Sequence, residues 1–205
     1  MKNVTDLIDS AASLAEEGLS KGEIADELNV SRETASWLVE RSADEPAVES
    51  VGPDDIHVDW SAVGESSARL TAAGFALADL LLEHGTDVGL VVGIEKAGAP
   101  LATAVARELD ADLATFTPPK HHWEDDEQAD YSGSFSQNFA DVSGRRCYVV
   151  DDTVTSGTTL TETIAAVENG GGTPVACGVL VDKRGTDRLE GVPVEALVRV
   201  IRVGE

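Results

Sequence analysis

Two adjacent carboxylates followed by a run of small hydroxyl residues define the chemistry open to this chain. In the stretch 145–160, RRCYVVDDTVTSGTTL, the apolar residues Cys147, Tyr148, Val149 and Val150 lead into Asp151 and Asp152. Thr153, Val154, Thr155, Ser156, Gly157, Thr158 and Thr159 follow. Read physically, this is a buried strand that stops at two acids, then a tight loop, then a helix start. Leu160, Ile164 and Val167 recur at helical spacing, and Asn169-Gly170 supplies the stop. Backbone N–H groups of residues 155–159 would stand unpaired at that helix N-terminus, a ready place for a phosphate, and the hydroxyls add donors. The carboxylates could hold sugar hydroxyls or a divalent metal. The plainer alternative is an ordinary strand–turn–helix with an aspartate cap.

A second stretch has the same layout. Residues 87–93 are a nearly all-apolar strand, as the centre of a parallel sheet requires. They run into Ile94-Glu95-Lys96-Ala97-Gly98-Ala99-Pro100 and a helix carrying Leu101, Val105 and Leu109. A strand, a small-residue loop with one Lys and a helix start make a second anion cradle; alone it reads equally well as a plain crossover.

Together the two stretches closely resemble type I phosphoribosyltransferases. The resemblance implies that Asp151 and Asp152 bind ribose 2- and 3-hydroxyls, that residues 153–159 bind a 5-phosphate, and that Lys96, Ala97 and Gly98 form a diphosphate-binding loop. It also implies Mg²⁺ as a companion of a phosphoribosyl ligand at Asp151 and Asp152. In the orotate branch a flexible lid with a basic cluster works on the leaving diphosphate. The corresponding segment here, 118–144, departs from that pattern: it is acidic, and Lys120 is its only Lys or Arg. His121 and His122 beside it could replace some of that charge, bind a metal or stand exposed and neutral, and no zinc spacing accompanies them. An Arg just after the following strand's Asp contacts the base in that branch, which makes Lys183 and Arg184 candidates.

The elements that must position these loops alternate. The pattern predicts a short strand at 56–60, with His57 on its face, and a helix over 70–84 closed by Gly85. Further strands are expected at 112–117, 173–181 and 195–203, and residues 131–135 have hairpin-like alternation that would return the lid to the sheet. The expected fold is therefore α/β, a parallel doubly wound sheet of about five strands with helices on both faces. Its crevice would lie over the strand tips at Gly93, Asp151 and Asp182.

Upstream stands a different kind of unit. Val4, Leu7, Ile8, Ala11, Leu14 and Ala15 give an amphipathic first helix ended by Gly18, and Ser20-Lys21-Gly22-Glu23 is a capping box for a second. Asn29-Val30 makes a turn, and Ser31 caps a third. The stretch LSKGEIADELNVSRETASWLVER resembles bacterial and archaeal helix-turn-helix regulators. On that resemblance Ser31, Arg32, Glu33, Thr34 and Ser36 project toward base edges and phosphates, and Lys21 and Arg41 contact phosphates. The alternative is a three-helix interaction module that touches no DNA. Residues 1–45 hold 4 basic and 11 acidic residues, a charge of the wrong sign for binding by counterion release, though molar salt would remove most of that driving force. The reading divides the chain into a helix-turn-helix domain at 1–45, a polar linker at 46–55 and a phosphoribosyltransferase-like ligand domain at 56–205.

The whole chain carries 38 acids against 15 Lys and Arg, for a net charge of −23. With 42% apolar residues and clear periodicity this is a folded, salt-adapted surface rather than disorder. There is no apolar run long enough to span a bilayer and no signal-peptide pattern, and Cys147 and Cys177 fall in expected buried strands. A cytoplasmic setting is expected. The whole chain is similar to the haloarchaeal orotate phosphoribosyltransferase-like regulators (GfcR type), which implies a homodimeric transcriptional regulator of central sugar catabolism that senses a small phosphorylated metabolite and binds promoter DNA. An active orotate-like phosphoribosyltransferase using phosphoribosyl diphosphate and Mg²⁺ is the second reading; the missing basic lid argues against it.

Overall fold

The computed structural model describes residues 4–42, 55–119 and 133–201. These gather into two compact units, 4–42 with 55–60, and 61–119 with 133–201.

The first unit is helical: α1 (Val4–Glu16), α2 (Lys21–Glu27) and α3 (Arg32–Ser42). Leu7 and Ala11 of α1 meet Ile24, Ala25, Leu28, Val30, Ala35 and Leu38 in one small core. Val4, expected on that stripe, is exposed in the first turn. The capping box forms as read: Glu23 N–H donates to Ser20 Oγ at 3.3 Å and Ser20 N–H to Glu23 Oε2 at 2.9 Å. Asn29, at φ 52°, turns the chain from α2 into α3, and Thr34 N–H donates to Ser31 Oγ at 3.1 Å. Residues 55–60 do not form the expected strand. Their backbone joins no sheet; instead Asp55 and His57 bond to the α2–α3 turn, so local alternation is overridden by two polar side chains that find partners on the helices.

The second unit begins with α4 (Ser61–Gly64) and α5 (Ser67–Leu82). Then come β1 (Leu90–Ile94), α6 (Gly98–Leu109), β2 (Asp112–Thr117), β3 (Ser134–Phe135), β4 (Arg146–Val154), α7 (Thr158–Asn169), β5 (Thr173–Asp182), β6 (Arg188–Leu189) and β7 (Val192–Arg199). The sheet order is β3-β2-β1-β4-β5-β7-β6. The five inner strands run parallel, as expected, and the two-residue strands β3 and β6 pair antiparallel at the edges. The last strand starts earlier than the sequence suggested because Glu190 and Gly191, both at positive φ, turn the chain tightly between Leu189 and Val192.

Every residue of β1 is buried, which is what a strand covered on both faces requires. Cys177 and Val179 of β5 share a core layer with Leu160, Ile164 and Val167 of α7. Gly178 between them faces Leu77 and Leu81 of α5 on the opposite side. The sheet is therefore wound on both faces, with α6 packed against α5, β1 and β4. The register Gly93↔Val150 and Val154↔Asp182 brings the ends of β1, β4 and β5 to one edge.

Candidate functional site

β4 continues through Asp151 and Asp152 to Val154 rather than stopping at the acids. Asp151 is buried, and its Oδ1 accepts the Asp152 N–H at 2.9 Å. Asp152 is half-buried, and its Oδ2 accepts from the Thr153 hydroxyl at 3.3 Å. Among the described residues no three His, Cys, Asp or Glu side chains stand together as a metal cluster. These two acids fit a magnesium ion only as one that arrives with most of its oxygens supplied by a bound ligand.

Beyond β4 the loop is short. Gly157 is the N-cap of α7 at φ 83°, a backbone geometry that suits glycine, and it offers no capping side chain. Ser156 Oγ lies 3.0 Å from Thr158 Oγ1 and accepts from Thr158 N–H at 3.3 Å. The start of α7 thus presents backbone N–H groups beside a cluster of hydroxyls, an arrangement that suits a phosphate. Arg184 is bonded to the same loop: its guanidinium donates to the Ser156 carbonyl at 2.5 Å. Asp182, fully buried at the end of β5, fixes the turn that aims Arg184, its Oδ1 accepting from Arg184 N–H at 2.8 Å and Gly185 N–H at 2.9 Å. Arg184, expected from sequence as a candidate base contact, is exposed and bonded to the loop before α7. Lys183 is tied to the end of β4 through its N–H and the Val154 carbonyl.

β1 ends in the other loop. The Glu95–Lys96 peptide is cis, Lys96 is exposed, and Ala97 is the N-cap of α6 without a capping side chain. By contrast α2 and α5 are closed by Ser20 and Ser66. Two helices with uncapped N-termini, following two paired strands, therefore open at the same edge, and their macrodipoles add there. The first residue of α6, Gly98, lies against β4, where a Cβ would fall 2.6 Å from the Val150 carbonyl oxygen and 2.9 Å from Asp151 Oδ1.

Glu95 is a residue to which sequence reasoning gave no role. Its carboxylate accepts from the Thr115 and Thr117 hydroxyls, each at 2.9 Å, and from the Ser136 hydroxyl at 3.1 Å. The Thr115 and Thr117 bonds, with Ser136 adding to them against a desolvation effect, hold its carboxyl below the ordinary carboxylate range. The usable signal was the Thr-x-Thr spacing of β2, which puts two hydroxyls on one face of a strand.

In the helical unit Arg32 and Glu33 are exposed and Ser36 is half-buried. Thr34 is buried, and its hydroxyl lies 2.9 Å from the Oγ of half-buried Ser31, so the two side chains meet at the cap of α3. Lys21 pairs with Glu40 at 3.0 Å, and Arg41 lies over the Trp37 ring at 4.4 Å. Lys120, His121 and His122 lie outside the described residues.

Comparison with known proteins places these features in a family. The model of the phosphoribosyl transferase domain matches residues 59–194. The transcriptional regulator GfcR of Halobacterium salinarum is 65% identical over 208 residues, covering 100% of this chain and 98% of its own. The regulator of the same name from Methanocella arvoryzae is 46% identical, covering 99% and 100%. Among solved structures, adenine phosphoribosyltransferase from Thermoanaerobacter pseudethanolicus superposes with a TM-score of 0.57 at 19% identity, over 73% of this chain and 90% of that one, a likeness of fold.

Proposed function

The chain belongs to the family of GfcR transcriptional regulators, and on that premise we propose that it is a DNA-binding regulator whose phosphoribosyltransferase-like domain senses a phosphorylated metabolite. The observation that carries the ligand half is the contact of the uncapped α6 start at Gly98 with Asp151 of β4, the strand that leads into the uncapped start of α7. One edge of the sheet offers backbone donors for two anionic groups with carboxylates between them, which suits a sugar phosphate. Asp151 and Asp152 would take the sugar hydroxyls, the 153–159 loop its phosphate, and Lys96, Ala97 and Gly98 a second anionic group.

The DNA half rests on the helical unit, where α3 exposes Arg32 and Glu33 near its start. A homodimer in the cytoplasm would set two such helices about one DNA turn apart. The metabolite must bind one arrangement of the dimer better than another, since a ligand with equal affinity for both shifts nothing. Control of central sugar catabolism is the regulatory target we infer.

An active phosphoribosyltransferase is the second reading, favoured by the intact acids and both loops. The sequence 118–144 with Lys120 as its only Lys or Arg weighs against it. Genome-wide occupancy of the tagged protein, with and without sugar, tests the regulator directly. Arg32→Ala should abolish occupancy while ligand binding persists, and the double substitution Asp151→Asn, Asp152→Asn should remove the sugar response. Unchanged occupancy in Arg32→Ala would sink the DNA assignment. Robust product from phosphoribosyl diphosphate and orotate or purine bases in multimolar KCl would establish the enzyme.

A further inference from the structure

The start of α3 is closed by residues that do not belong to it. In α2 the capping box is complete within one turn, because Glu23, at the third helical position, accepts the N–H of its own N-cap Ser20 at 2.9 Å. In α3 the corresponding third position is Thr34, whose hydroxyl is already engaged with Ser31 Oγ. It has no carboxylate to offer the Ser31 N–H. That donor is taken by Asp55, 24 residues further along, whose Oδ2 accepts it at 2.5 Å while Oδ1 accepts from Ile56 N–H at 2.7 Å. Two residues on, His57 Nδ1 lies 2.7 Å from the carbonyl of Leu28, the C-cap of α2. A carbonyl can only accept, so Nδ1 carries the proton there. The segment 55–57 thus straps the turn between α2 and α3 at both ends, with a carboxylate at the positive end of α3.

We propose that this strap is an internal competitor for DNA, with the Asp55 carboxylate standing where a backbone phosphate would sit at the start of α3. The inference rests on the DNA-reading role proposed above. The positive end of a helix and its free N–H groups are common phosphate contacts on a duplex, and a carboxylate satisfies the same donors. A chain of net charge −23 has little to gain by adding one more acid at its DNA-reading helix, unless that acid can be displaced. The strap is also well placed in the sequence for control. Trp60 is followed directly by Ser61, the first residue of α4, so the strap is joined to the second unit by an unbroken stretch of chain. A ligand state that draws residues 55–57 off the turn frees the Ser31 N–H for an operator phosphate; the opposite state holds the strap in place.

The test uses the full-length protein in multimolar KCl, with duplexes enriched from a random-sequence library separately by the wild type, Asp55→Asn and His57→Ala. Affinity is then read by fluorescence anisotropy on the enriched duplex. Both variants should bind about fivefold to tenfold more tightly than the wild type, the scale of one lost hydrogen bond on a competing segment. His57→Ala removes no negative charge, so its gain cannot come from reduced repulsion. Glu17→Gln, which neutralises an exposed acid just beyond α1, should leave affinity unchanged. Enrichment by the variants and not by the wild type would support the strap most directly. If both variants bind no tighter than the wild type, or lose binding as their helical unit melts earlier, the strap is only a structural cap and the proposal fails. If none of the proteins enriches any duplex, the DNA-reading role itself fails, an outcome distinct from the previous one.

Discussion

Gly98 and Asp151 are in contact with no room for a methyl group: a Cβ on Gly98 would stand 2.8 Å from the Asp151 Cα and 2.9 Å from its Oδ1. The obstacles are backbone and a short, buried side chain, which cannot swing aside as a lysine tip would. The closeness has a functional meaning, because it joins the loop after β1 to the acids of β4.

Gly98→Ala should therefore cost about 1–3 kcal/mol of stability, the usual range for overpacking a tight site. It should weaken binding of ribose 5-phosphate as well, since relief requires parting the start of α6 from β4. Calorimetric melting and isothermal titration in multimolar KCl check the two effects. A protein with unaltered melting and unaltered affinity would show that the loops are not locked together.

Glu95 yields a prediction about pH. Hydroxyls of Thr115, Thr117 and Ser136 favour its charged form, so its folded pKa lies below the ordinary 4.5. A depressed carboxyl contributes stability that is complete above 4.5 and is lost as pH falls through the lower folded value. Glu95→Gln should destabilise the protein at pH 7, because an amide cannot accept from all three hydroxyls, by about 1–3 kcal/mol. Melting curves of wild type and variant should converge as pH is lowered below the ordinary 4.5 and through the depressed carboxyl's own titration. A gap that stays constant as the carboxyl is protonated would show that the charge of Glu95 plays no part.

Much of the ligand unit was legible in the sequence because its signals are local. All-apolar runs mark β1, β4 and β5, and a glycine or a short acid–hydroxyl run follows the first two. The capping box at Ser20 and Glu23 and the cap at Ser31 were legible for the same reason. What escaped depends on groups far apart in the chain. Thr34 looked like an outward residue until Ser31 engaged it, and Asp55 and His57 looked like parts of a linker and a strand until the α2–α3 turn claimed them. Glu95 is bound by residues 20, 22 and 41 positions away. Arg184 stood out in the sequence as a candidate, but its partner, the Ser156 carbonyl, is a backbone atom that no pattern of side chains announces.

The acidic surface sets the last prediction. A net charge of −23 on 205 residues repels itself at every scale shorter than the screening length. That length is about 10 Å at 0.1 M salt and about 3 Å at 1 M, so low salt exposes each acid to several neighbours and molar salt to almost none. Among the described residues, Lys21–Glu40, Arg145–Asp112 and Arg199–Asp187 are surface pairs, and such pairs contribute only about 0–1 kcal/mol each against that repulsion. The melting temperature should therefore rise steeply with KCl up to about 1 M and then level off, because screening saturates once the Debye length is shorter than the spacing of the charges. Sucrose, which strengthens burial without screening charge, should not reproduce the steep part. Equal stability at low and multimolar KCl would refute the account, and a rise that sucrose matches would assign it to solvent exclusion instead of charge.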